Sequence, residues 1–107
     1  MSEEPTEIVV RDNPPEARYE AVIDGAVAGI SQYETRDGAV TFTHTIVLPD
    51  WEGQGVASQL VRHALDDVRE RGLAAVPECP YVAVWIRRHP EYADLVPEPE
   101  RHRLERR

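Results

Sequence analysis

DWEGQGVASQL, residues 50–60, joins a Pro-Asp-Trp break to the most regular apolar pattern in the chain. Glycine in a helix costs roughly 1 kcal/mol relative to alanine, so Gly53 and Gly55 need a reason to stand here. Two reasons are open: a tight turn into a helix, or a cradle for a phosphate at a helix N-terminus. From Gly55 to Arg71 the small and apolar residues Val56, Ala57, Leu60, Val61, Ala64, Leu65 and Val68 recur at i, i+3 and i+4. That spacing predicts a helix of about 17 residues, ~25 Å long. Arg69 and Arg71 fall in its last turn and Gly72 supplies the stop.

Upstream the period is two. TEIVVRD, ARYEAVIDG, AVAGISQYE and AVTFTHTIVLP read as four strands, separated by NPP, Asp24-Gly25 and Asp37-Gly38. In the second, Tyr19, Ala21 and Ile23 alternate with Arg18, Glu20 and Val22. In the fourth, His44 alternates with Phe42 and Ile46. Downstream, LAAVPEC is a fifth strand candidate and PYVAVWIRRHPEY a second helix, beginning at Pro80 and ending before Pro90. EYADLV adds one more turn. The expected fold class is α/β (α+β): a mixed, mostly antiparallel sheet of about five strands, a long helix after strand four and a second after strand five. Residues 1–107 are expected to form a single domain, globular over about 6–96, with charged, mobile tails.

Bulk properties narrow the function. The formal charge of −8 argues against a nucleic-acid partner and suits a cationic substrate, although solubility alone accounts for it. All 12 basic residues are arginine, so no lysine can act as catalyst or Schiff base. Cys79 is the sole cysteine and has no internal disulfide partner. No apolar run reaches the ~20 residues of a membrane span, and the acidic start is unlike a secretory signal; a cytoplasmic location is expected. The histidines and Cys79 show no ligand spacing, so no metal is expected. Neither Ser31 nor Ser58 lies in a nucleophile elbow.

A strand, a break, a glycine loop and a long helix aim free backbone N–H groups at one point, where the helix dipole adds positive charge. A pyrophosphate is the natural guest. The loop has neither GxGxxG spacing nor a P-loop lysine.

EGQGVASQLV resembles the coenzyme A pyrophosphate loop of the GNAT acyltransferase superfamily, (Q/R)xxGx(G/A), with Gly55 and Ala57 in its last two defined positions. FTHTIVLPDWEGQGVASQLV, PECPYV and RRHPEYADLV together resemble a compact branch of small, single-domain acetyltransferases, over about residues 8–96. The resemblance implies acetyl-CoA as co-substrate and an N-acetyltransferase activity toward a small or protein-borne amine. It places the pantetheine arm on Ile46, Val47 and Leu48, and the pyrophosphate on Gly53, Gln54, Gly55, Val56, Ala57 and Ser58. The residues alone leave a rival: a non-catalytic module that binds coenzyme A or a protein partner.

Acetyl transfer needs a proton acceptor for the amine, a donor for the oxyanion and a proton for the leaving thiolate. His44 titrates near neutrality and is a candidate base or shuttle, with packing as the alternative. Cys79 stands where a helix N-cap is expected, and its sequence context borders the acetyl group in the related branch. It is either a covalent acyl acceptor or a polar wall of the cleft. Two positions depart from the superfamily. Glu52 stands where Gln or Arg is preferred, and the tyrosine that protonates the thiolate is replaced by Ile86. Nothing in their spacing assigns Tyr81 or Tyr92 to that task.

Overall fold

A computed structural model describes residues 7–105. Among these residues one sheet has the order β1-β2-β3-β4-β5, with β1 at Val9–Asn13, β2 at Arg18–Ile23, β3 at Ala26–Arg36, β4 at Ala39–Val47 and β5 at Ala74–Pro77. The first four strands form the expected antiparallel meander; β5 lies parallel to β4. At the β2–β3 and β3–β4 turns both Asp and Gly have positive φ, as a type I′ hairpin requires. The parallel crossover is made by α1, Val56–Glu70, and a second helix α2, Pro80–Arg88, follows β5.

The stripe read in the sequence is the buried face of α1: Val56, Leu60, Val61, Ala64, Leu65 and Val68 all pack into the core. Each fully buried Val or Leu contributes about 1.5–3 kcal/mol, which outweighs the weak intrinsic propensity of the valines. From the sheet they meet Tyr19, Ala21, Ile23, Val40 and Phe42; from α2, Val82, Trp85 and Ile86. Tyr19 also donates its hydroxyl to Asp67 on α1 at 2.7 Å.

Two expectations need correction. The charged C-terminal segment is not a loose tail: Glu98–Leu104 forms a 3-10 helix beside β5 and α2, and Leu104 packs against the core. Arg101 Nε donates to Val96 O at 2.9 Å, so a charged side chain anchors the segment. The opposite end, residues 1–5, lies outside the described residues. The second correction concerns β4. Gln32 pairs with His44 but Tyr33 pairs with Phe42, so Thr43 is an extra residue, a bulge. A bulge rotates every following side chain to the other face. Phe42 is therefore buried, whereas His44 and Ile46 are exposed. Thr45 and Val47 take over the helix-facing side, where Thr45 Oγ1 lies 3.0 Å from Ser31 Oγ.

Glu20 lies on the face of β2 away from the helices, yet only 1% of it is exposed. Asn13, Arg18 and Arg11 fold over it and donate to its carboxylate at 3.0, 2.8 and 2.9 Å. These bonds, Asn13's first, hold its carboxyl down at about 2. The folded value lies below the unfolded one, so its stabilisation is present above the ordinary glutamate range and lost as pH falls toward 2. Water screens Arg11, which is mostly exposed, so Glu20→Gln is expected to cost about 1–2 kcal/mol at pH 7. Urea unfolding of both proteins at pH 7 and pH 3 checks this: the gap should narrow at the lower pH.

Candidate functional site

The site begins where β4 and β5 part. Their ladder ends at Phe42–Pro77, and Cys79 N–H then donates to Phe42 O at 2.8 Å. Beyond that point β4 continues to Val47 while the other chain turns into α2, so Thr43–Val47 border a fork instead of a strand. Pro80 at the first helical position makes this turn early, because proline needs no N–H partner there.

Across the fork lies the N-terminus of α1. Pro49–Trp51 make one 3-10 turn, and Gly53 and Gly55 both take left-handed φ, at 79° and 77°. That conformation costs any residue with a Cβ, which is why glycines occupy it. Gln59 N–H closes the first turn onto Gly55 O at 3.2 Å, leaving the N–H groups of Val56, Ala57 and Ser58 ahead of the ladder. Among the described residues no side chain caps them, and no carboxylate stands in the first turn. Ser58 Oγ accepts the Trp85 indole N–H at 2.9 Å, which fixes the oxygen and leaves its own proton to donate. A bare helix N-terminus of this kind has the chemistry of an anion site.

A hollow of about 330 Å³ sits on this cradle, lined by Val47, Trp51, Glu52, Gly53, Gly55, Val56, Ala57, Ser58 and Tyr81. Six of the nine residues expected to hold the carrier thus come together: Val47, Gly53, Gly55, Val56, Ala57 and Ser58. Three do not line it. The bulge leaves Ile46 51% exposed, Leu48 is 46% exposed, and the Gln54 amide folds back onto Asp50 O at 3.4 Å. Glu52 is exposed and also lines this hollow.

Cys79 and His44 lie on opposite sides of β4. Cys79 is 3% exposed, and its thiol donates to Thr45 Oγ1 at 3.4 Å on the helix side. His44 opens onto a separate hollow of about 570 Å³, with Gln32, Tyr33 and the carboxylates of Glu16, Glu34 and Glu78. Because Glu78 adjoins Cys79 in the chain, the two sides meet at the fork. Ile86, in the position of the superfamily's acid, is wholly buried. Tyr92 is also buried, and its hydroxyl donates to Asp66 at 2.7 Å. Tyr81, on the first turn of α2, lines the hollow at the α1 N-terminus; its spacing in the sequence carried no such signal. Among the described residues, no three His, Cys, Asp or Glu side chains are placed to hold a metal ion, and no helix is long and apolar enough to cross a membrane.

Residues 18–95 match the family model described as GCN5-related N-acetyl-transferase. Among solved structures, the chain resembles the ribosomal-protein-S18-alanine N-acetyltransferase from Escherichia coli, with 24% identity and a TM-score of 0.51 over 53% of this chain and 37% of that one. It also resembles a GNAT family acetyltransferase from Brucella melitensis in complex with acetyl-CoA, with 25% identity and a TM-score of 0.50 over 56% and 44% of the two chains. The chain thus matches less than half the length of either structure. No curated protein matches it significantly.

Proposed function

The chain belongs to the GCN5-related N-acetyltransferase family, and on that premise we propose that it transfers an acetyl group from acetyl-CoA to an amine. The observation that carries this reading is the uncapped N-terminus of α1, facing a hollow beside the fork of β4 and β5. Backbone N–H groups of residues 55–58 hold the pyrophosphate there, and Val47 lines the path of the pantetheine arm. A strand freed of its neighbour offers main-chain donors and acceptors to an extended amide-bearing chain, as a further strand would.

The acceptor enters from the His44 side. Glu34 and Glu78 favour an ammonium there, and His44 takes up the proton that the amine must lose. Cys79 forms the wall between the two sides, its thiol proton engaged with Thr45. The acetylation of a ribosomal-protein amine by the Escherichia coli neighbour agrees with an amine acceptor, small or protein-borne.

The test is thiol release from acetyl-CoA with a panel of polyamines, amino acids and lysine peptides, run beside calorimetric titration with coenzyme A. Turnover with at least one amine is expected, and intact-mass spectra should show no acetyl group retained on Cys79. Binding without turnover across the panel would leave a coenzyme A-binding module. Absence of binding at millimolar ligand would remove the cradle reading altogether.

A further inference from the structure

Ser58 stands in the first turn of α1 and lines the hollow at that helix's N-terminus. A serine hydroxyl has one proton to give and two lone pairs to accept with. Within a helix it readily turns that proton back onto a carbonyl of the preceding turn, which here belongs to Gln54 or Gly55. Among the described residues no such bond forms. Instead Trp85 arrives from α2, 27 residues further along the chain, and donates its indole N–H to Ser58 Oγ at 2.9 Å. An indole nitrogen only donates, so the Ser58 proton cannot lie along this bond. We propose that Trp85 is a positioning residue for the carrier: its N–H turns the Ser58 hydroxyl so that the O–H donates to the pyrophosphate of coenzyme A. The role rests on the coenzyme A cradle read above and extends that cradle to α2, since Trp85 itself does not line the hollow.

A hydrogen bond positions its acceptor only if the donor is fixed, and Trp85 is fixed on several sides. It is 4% exposed. The His89 ring stacks on it with centroids 3.8 Å apart and 15° between the planes, and Tyr92 meets it edge-on at 5.1 Å. The Arg62 guanidinium lies 5.1 Å from the indole centroid.

These neighbours are themselves tied down. His89 Nδ1 is 2.7 Å from Trp85 O, and the Tyr92 hydroxyl donates to Asp66. Arg62 follows Ser58 by one helical turn, so the two lie on the same face of α1. Helix α2 thus delivers one rigid donor to the mouth of α1. A phenylalanine would fill most of the same space; the N–H is the part that packing alone does not require.

Benzothienylalanine installed at position 85 keeps both fused rings and replaces the N–H by sulfur. Calorimetric titration with coenzyme A should show about a fivefold loss of affinity, against about tenfold for Ser58→Ala, the scale of one hydrogen bond to a charged oxygen. With alanine already at position 58, the ring exchange should cost nothing more, because its effect passes through the hydroxyl. Pantetheine, which lacks the phosphates, should bind all four proteins equally in NMR titrations. A merely structural role would not give this split, since a displaced α2 would weaken both ligands. Unchanged coenzyme A affinity in either single variant overturns the role of Trp85 and leaves the cradle standing. So does a parallel loss of pantetheine, or a further loss on top of that of Ser58→Ala. A parent protein that binds no coenzyme A at millimolar ligand overturns the cradle and this assignment together.

Discussion

Gly55→Val is expected to weaken coenzyme A binding by about two to three orders of magnitude while leaving the fold in place. Position 55 has φ 77°, and a Cβ built there meets nothing within 4 Å. A clash with the protein is therefore not the mechanism. The cost lies in the backbone: a left-handed conformation is unfavourable by roughly 1–2 kcal/mol for residues with a Cβ, and worst for β-branched ones. Valine escapes by rotating the loop, and the N–H groups of Val56, Ala57 and Ser58 then no longer converge. Each bond to a charged oxygen is worth about 1.5–3 kcal/mol, so misaiming one or two accounts for most of the loss. Gly55→Ala, with a smaller penalty, should lose only about tenfold. Calorimetric titration gives both numbers, and circular dichroism melts show whether the fold persists. Equal affinity in all three proteins would mean that the cradle does not hold the carrier.

Phe42→Ala is expected to destabilise the protein by about 3–5 kcal/mol, the range for deleting a buried aromatic ring. Phe42 is 1% exposed, the largest of the fully buried side chains, and packs its ring 6.2 Å from that of Tyr19. The residue is also the end of the β4–β5 ladder and accepts the Cys79 N–H on its carbonyl. The cavity would open under the fork itself. For a domain of this size the whole stability is only about 5–15 kcal/mol, and each kcal/mol shifts Tm by roughly 4–8 °C. A fall of some 15 °C or more should appear, with a matching drop in the urea midpoint. Coenzyme A should restore part of the loss, because a ligand that binds only the folded state stabilises it. A fall of only a few degrees would mean that the ring is not part of the core.

Local chemistry wrote much of this fold into the sequence. The stripe from Val56 to Val68 needs nothing beyond helical periodicity to find its buried face. Asp24-Gly25 and Asp37-Gly38 specify hairpin turns through their own tolerance of positive φ. Pro80 and Pro90 bracket α2 because proline opens a helix and cannot continue one. The glycine loop was legible for the same reason: two residues without a Cβ, ahead of a strong helix, mark a backbone bent toward a ligand or a turn.

What the tertiary structure decided depends on partners distant in the chain. The Thr43 bulge is a property of the register between two strands, and nothing inside AVTFTHTIVLP announces it. It alone sends Phe42 to the core and His44 and Ile46 to solvent, against strict alternation. Glu20 is buried by Asn13, Arg18 and Arg11, a shelter that forms only when β1 pairs with β2. The charged C-terminal segment is held by one arginine and by Leu104 finding the core, contacts that its composition gave no reason to expect. Tyr81 and Tyr92 look alike as aromatic residues on an apolar pattern. Packing gives Tyr92 an aspartate and leaves Tyr81 at the hollow beside the α1 N-terminus, its hydroxyl without a protein partner among the described residues. Periodicity fixes which face of an element is apolar, whereas register and long-range packing fix which polar atoms are left free to do chemistry.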